Sequence, residues 1–144
     1  MAEQSYKNHA QYVPGFHFGL FSVLALTFIG SCVNLYQSIG DHSRLYSASL
    51  LTVLSFCALP AALYSRMFAL KAQDRAIWIG ERVRHMELTG KPIDPRITIA
   101  QAIALRFAPD AEFPTLARRA ADEGLSKDAI KQAIKNWRPD HYRL

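Results

Sequence analysis

The sequence predicts an all-α protein: a transmembrane helical hairpin, a cytoplasmic helical stalk and three short C-terminal helices. Three observations carry this. Two apolar runs, each at or above the roughly 20 residues needed to cross a bilayer, lie close together in the front half. Charge is partitioned. From Ala10 to Ser65 the only formal charges are Asp41 and Arg44, whereas 66–144 holds fifteen Lys/Arg and ten Asp/Glu, the whole of the +5 net charge. The back half is built on apolar spacings of three and four, punctuated by Pro, Gly and capping residues, with no strand-like alternation. Two regions follow: 1–66, the N-terminal segment and hairpin, and 67–144, a cytoplasmic helical region.

The first run extends from Tyr12 to Gly40, and the second, Leu45–Ser65, is 21 residues without a charge. The first lacks a strong basic head and is too long for a signal-peptide core. Core helices of a soluble bundle would show a polar face. Here the polar residues are scattered Ser, Thr, Asn and Gln. Tyr12 and Tyr64 fall at one end of the hairpin, Tyr36 and Tyr46 at the other, where a ring with a wet hydroxyl suits both interfaces. The loop GDHSR carries one Arg and one Asp. Arg66, Lys71, Arg75, Arg82 and Arg84 follow the second run, and Lys7 precedes the first. The positive-inside rule then places both termini in the cytoplasm.

Small residues suggest how the hairpin packs. Gly15 and Gly19 form a GxxxG step, and Ala58/Ala62 and Ala61/Ser65 form small-xxx-small steps opposite, all near the cytoplasmic side. Such steps let backbones approach in lipid. Pro60 removes a backbone donor and predicts a kink. Cys32 and Cys57 are offset along antiparallel helices by about 9 Å, too far for a disulfide. Two buried thiols are the expectation.

The second helix is predicted to continue past the interface to about Glu87, because RMFALKAQDRAIWIGERVRHME contains no proline and only Gly80 as a weak point. Phe68, Ala72, Ala76, Ile79, Val83 and Met86 form one apolar row. Lys71, Asp74, Arg75, Glu81, Arg82 and Glu87 lie largely off it. That row needs a cover: the C-terminal region, a second copy or another protein. TGKP then ends the helix, glycine at the stop and proline beyond.

Three short helices follow. Asp94 and Pro95 are read as cap and first residue of one whose apolar row is Ile99, Ile103 and Phe107. DAEFPTLARRAADEG gives the next, with Pro114 in its first turn and Gly124 as terminator. In SKDAIKQAIKNWRPD, Ser126 is the cap and Asp128 suits the helix dipole. Ile130, Ala133, Ile134 and Trp137 make one face, and Pro139 follows the end. Lys127, Lys131, Lys135 and Arg138 make a basic row beside it, either a solvated face with long apolar stems or a contact for an anionic partner, for which lipid headgroups are nearest. The aromatic Trp137 predicts a tail folded back onto the stalk near Ile79–Val83 or onto the Ile99–Phe107 helix. Asp140 is then expected to pair with Arg138, Arg75 or Arg82. Ala120, Gly124, Leu125 and Ile130 echo a helix-turn-helix, but Arg119 and Glu123 stand where that motif wants apolar packing, which disfavours DNA.

Nothing in the chain spells out catalysis. The histidines are His9, His17, His42, His85 and His141, and only His17 falls in a membrane run, so one chain has no bis-histidine haem site between its two helices. No HExxH, CxxC, GxSxG or phosphate loop occurs. No acidic or basic residue inside a run marks an ion path. The expectation is a protein that is not an enzyme and takes no cofactor, metal or small-molecule substrate.

Three strings, YKNHAQYVPGFHF (Tyr6–Phe18), RMFALKAQDR (Arg66–Arg75) and IKQAIKNWRPDHYRL (Ile130–Leu144), with the order of segments, resemble a family of short bacterial membrane proteins known only as a domain of unknown function. The resemblance implies two membrane helices and a bacterial source, hence the inner (cytoplasmic) membrane. It implies no activity. Within those strings Lys7, His9, Asp74, Arg75, Trp137, Arg138, Asp140 and His141 are the candidate contacts. The favoured reading is an accessory or interaction protein, partnered by itself or by another membrane protein. The alternative is a membrane-tethered module binding anionic lipid, with nucleic acid the less favoured ligand, through Lys127, Lys131, Lys135, Trp137 and Arg138.

Overall fold

The computed structural model describes residues 13–140, all helix, turn and coil without a strand. A π-helical turn, Gly15–Leu20, leads into α1 (Phe21–Gln37). A tight turn through Gly40, at φ 95°, leads to α2 (His42–Thr89). Three short helices follow: α3 (Ile99–Leu105), α4 (Phe113–Glu123) and α5 (Lys127–Ala133). The chain divides into two compact units between Ala69 and Leu70, inside the continuous α2. Lys7, His9, Tyr12 and His141 lie outside the described residues.

In the first unit α1 runs against the start of α2. Shielded positions on α1 are Phe21, Leu24, Phe28, Ser31, Leu35 and Ser38; on α2 they are Leu45, Ala48, Thr52, Ser55, Leu59 and Ala62. Spacings of three and four alternate in both rows, the seam of a left-handed helix pair. Ser31 and Ser55 meet across it, Oγ to Oγ 2.9 Å, and the Thr52 hydroxyl donates to the Ser31 carbonyl at 3.1 Å. Phe28 and Phe56 rings meet nearby, tilted at 46° with centroids 5.8 Å apart.

The close approach is therefore serine-lined and lies nearer the loop than the sequence suggests. Gly15 and Gly19 are exposed, and among the described residues nothing lies within 4 Å of where their Cβ atoms would be. Residues four apart share a face here, and that face turns outward, so the pair does not set the close approach. Ala58 and Ala62 are half-buried, whereas Ala61 and Ser65 face outward. Cys32 and Cys57 are free thiols, as the spacing predicts, but exposed rather than buried. α2 passes unbroken through Pro60 and Gly80 and stops where expected: Gly90, at φ 67°, donates to the Met86 carbonyl at 2.8 Å.

In the second unit one core joins the helices. Leu105, Phe107, Phe113 and Ile130 are fully enclosed, with Ile93, Ile97, Ala102 and Leu116 around them. Trp78 on α2 and Trp137 near the chain end pack against this core. The α3 start differs from the sequence reading. Asp94 instead accepts from the Arg96 amide at 2.9 Å, closing a turn over Pro95. The helix begins at Ile99 under a capping box, in which Gln101 N–H reaches the Thr98 hydroxyl and the Gln101 carbonyl takes Thr98 N–H. Two reciprocal bonds outbid a single carboxylate already committed to Arg96. The inward face of α3 is Ala102 and Leu105. Ile99 is exposed and Phe107 lies past the helix end.

Gly124 closes α4 in the left-handed region at φ 60°, and the Leu125 amide donates to the Ala120 carbonyl at 3.2 Å. A Cβ here would meet nothing within 4 Å, so any penalty is conformational. Gly124→Ala is expected to cost about 1 kcal/mol, read as a lower thermal midpoint of the second unit. An unchanged midpoint would show that this turn relaxes freely.

Candidate interaction surface

The chain end is a clasp, built from below by Glu112. Its carboxylate accepts the backbone N–H of Lys135 (3.1 Å) and Asn136 (3.3 Å) and the Asn136 side-chain amide (2.9 Å). In a continuing helix those two amides would bond carbonyls one turn back. Glu112 takes them instead, so α5 stops at Ala133 and Ile134 is extended. The row Lys127, Lys131, Lys135 and Arg138 is consequently not one helix face. Lys127 and Lys131 are on α5, Lys135 lies in the bend after it, and Arg138 follows in irregular chain.

Beyond the helix the tail folds back as the aromatic residue predicts. The Trp137 ring packs on Phe107, centroids 4.8 Å apart, and Arg138 N–H donates to the Phe107 carbonyl at 2.8 Å. Asp140 pairs with Arg106, Nε to Oδ2 3.1 Å, rather than with Arg138, Arg75 or Arg82. Arg106 is a buried cation, its guanidinium 4.4 Å from the Phe107 ring centroid. Sequence reasoning missed it, because position 106 reads as a polar interruption in an apolar row.

A second anchor ties the stalk part of α2 to the core. Arg84 donates through Nε to Asp110 at 2.8 Å, through Nη1 to Glu81 at 3.0 Å and through Nη2 to the Ala108 carbonyl at 2.7 Å. Its guanidinium lies 4.4 Å from the Phe113 ring centroid. His85 sits 6.0 Å from the same ring, Nδ1 2.9 Å from the Lys91 carbonyl. Trp78, Glu81 and Arg84 repeat every three residues, a signal that marks a second, mixed stalk face. A large ring and a multiply bonded guanidinium win that face for the C-terminal helices.

The opposite face is left open. Ile79 is 56% exposed, Val83 52% and Met86 45%, and Ala72 and Ala76 are exposed in the same row. Of the charged candidates, Lys127, Lys135 and Arg138 are exposed, Lys131 is half-buried, Arg75 is exposed and Asp74 is half-buried.

Local charge pairs set the acid behaviour of the second unit. Hydrogen bonds from Arg96 hold the Asp94 carboxyl down to about 2. Arg84 lowers Asp110, and the Lys135 amide, ahead of Asn136, lowers Glu112. Each folded-state value lies below the ordinary one, so these contacts contribute fully above the unfolded pKa and are lost as pH falls through the folded value. For Asp94 that window runs from 3.8 down to about 2. The thermal midpoint of the second unit is therefore expected to hold flat from neutrality to about pH 5 and to fall below about pH 4. A midpoint that rose on acidification would contradict the pairings.

These features define a class: an all-helical protein with two helices long and apolar enough to cross a membrane, the second running on into a compact helical cluster. The chain belongs to the family of unknown function DUF6526, whose model matches residues 1–144. No curated protein and no solved structure matches it.

Proposed function

We propose that this chain is a bacterial inner-membrane protein with both termini in the cytoplasm, and that it acts as a non-enzymatic accessory or assembly subunit. The observation that carries the reading is the uncovered stalk row. The protein builds its own C-terminal core and spends none of it on Ile79, Val83 and Met86, a continuous apolar strip on a charged helix. Strips of that kind mark surfaces for other proteins. The hairpin limits the partner to one that reaches the membrane surface.

Three measurements test this. A reporter fused after Leu144 is expected to read as cytoplasmic, and the chain to pellet with membranes until detergent is added. A periplasmic reading overturns the orientation, and recovery in the soluble fraction overturns the hairpin. Mild-detergent purification is expected to bring down a stoichiometric partner or a second copy. A clean monomer overturns the assembly role.

A second reading draws on the exposed cations Lys127, Lys135 and Arg138 near the chain end, which suit anionic headgroups. Replacing all three by glutamine is expected to leave insertion intact and to release the second unit from anionic vesicles if this reading is correct.

A further inference from the structure

Ala72, Ala76, Ile79, Val83 and Met86 recur on the stalk at spacings of four, three, four and three, all exposed. That is the a/d seam of a two-stranded coiled coil, with Ala76 and Val83 at a and Ala72, Ile79 and Met86 at d. The C-terminal helices take the other side of α2, around Trp78, Glu81 and Arg84. At 100° per residue the open row lies about half a turn from that covered face, so a second helix can lie along it without displacing the core. Beside the row a groove of about 340 Å³, edged by Pro92 and Ile93, leaves room for facing side chains.

The flanking charges say which helix fits. Arg75 and Arg82 occupy g positions. Gln73, Gly80 and Glu87 occupy e positions. In a parallel, in-register pair each g residue faces the e residue five places on in the other strand. Arg82 then meets Glu87, twice by symmetry, and Arg75 meets the neutral Gly80. An antiparallel pair brings g against g, arginine against arginine. Among the described residues Glu87 has no ion-pair partner, and Arg82 is steadied over the Trp78 ring at 4.6 Å from its centroid. A shared membrane imposes the same geometry. Two copies inserted with one topology carry their stalks on the same side of the bilayer and begin them at the same residue, which favours the parallel pair over the antiparallel one.

We propose that the stalk row is the interface of a parallel homodimer, closed by a second copy of this chain and framed by reciprocal Arg82–Glu87 pairs. This rests on the membrane-hairpin reading above and names the partner. Isolated seams of this length are marginal in water; confinement to a membrane plane raises the effective concentration and offsets that weakness.

The test uses the full chain in lipid nanodiscs and in intact membranes, in a Cys32→Ser/Cys57→Ser background. Ile79→Cys and Val83→Cys are expected to form a disulfide between copies under mild oxidant. Lys71→Cys, exposed but off the seam, is expected to stay largely monomeric. Glu87→Arg turns two attractive pairs into two repulsive ones and is expected to weaken association about tenfold. Adding Arg82→Glu in the same chain is expected to restore it. Equal cross-linking at 71 and 79, cross-linking of 72 with 86 in place of 83 with 83, or charge variants that dimerise like the parent would each overturn the proposal. An Ile79→Cys adduct to a different protein would also overturn it while leaving the accessory reading standing. Recovery of the chain in the soluble fraction would bring down the hairpin reading itself, a failure distinguishable from the others.

Discussion

Phe113→Ala is expected to bring the C-terminal helical cluster to the edge of unfolding at room temperature while leaving the helical hairpin formed. Phe113 opens α4 and is wholly enclosed. On one side it meets the core, on the other the stalk's Arg84 guanidinium and His85 ring. Truncating such a ring costs about 3–5 kcal/mol, and a cluster this small is stable by about 5 kcal/mol, so little of that stability is left. The loss also bares Arg84, which exchanges a ring face for water. The two tryptophans of the chain, Trp78 and Trp137, both pack against this core, so their emission reports its state directly. The variant is expected to show red-shifted emission, an early and broad melt of the cluster and rapid proteolysis in 93–137, yet, on the membrane reading proposed above, still to require detergent for release. Parent-like emission with a shift of only a few degrees would mean that the core closes over the cavity.

The parts of the fold that were legible in the sequence are those where one local signal dominates. α2 was readable as one helix from its apolar half into its charged half, because no residue after Pro60 breaks a three-four apolar spacing before Gly90. Gly90 and Gly124 both take the left-handed conformation that their place at helix ends predicts, and Ser126 caps α5. The readings that failed involve competition between distant groups. Asp94 and Pro95 look like a helix start until the Thr98–Gln101 box is weighed against them. α5 looks two residues or more too long because Glu112, more than twenty residues earlier, captures the amides of Lys135 and Asn136. A GxxxG pattern states that two glycines share a face; it does not state which way that face turns.

The interaction surface was half legible. The apolar row on the stalk was visible as a row, and the need for a cover followed from it. Which side of the stalk the C-terminal helices would take was not visible, because the winning face is mixed: Trp78 with Glu81, Arg84 and His85. Its strength comes from the Asp110 carboxylate, the Ala108 carbonyl and the Phe113 ring, which lie about 25 residues downstream. Periodicity ranks faces by apolarity, whereas a guanidinium with four bonds and a ring beneath it can outrank three aliphatic side chains. The folded-back tail followed from an aromatic residue placed where a free end would have no use for one.

Asp140→Ala is expected to open that tail and to destabilise the second unit by about 3 kcal/mol. Arg106 is the reason. Its side chain is 5% exposed and Asp140, 3.1 Å away, is 27% exposed, so the pair is shielded on the cation's side and only partly wet on the other. Removing one member of a shielded pair leaves a charge whose hydration the fold has already surrendered. The carboxylate also anchors the chain beyond Pro139, so its loss frees Trp137 to leave the Phe107 ring. The expected readouts are a thermal midpoint lower by about 10 °C or more and a red shift confined to Trp137, resolved in a Trp78→Phe background. Arg106→Met in the same chain is expected to recover part of the loss, because a buried pair replaced by an apolar side chain no longer carries its desolvation cost. Asp140→Ala alone, melting like the parent, would reduce the ion pair to a surface contact and leave the Trp137–Phe107 packing as the whole of the clasp.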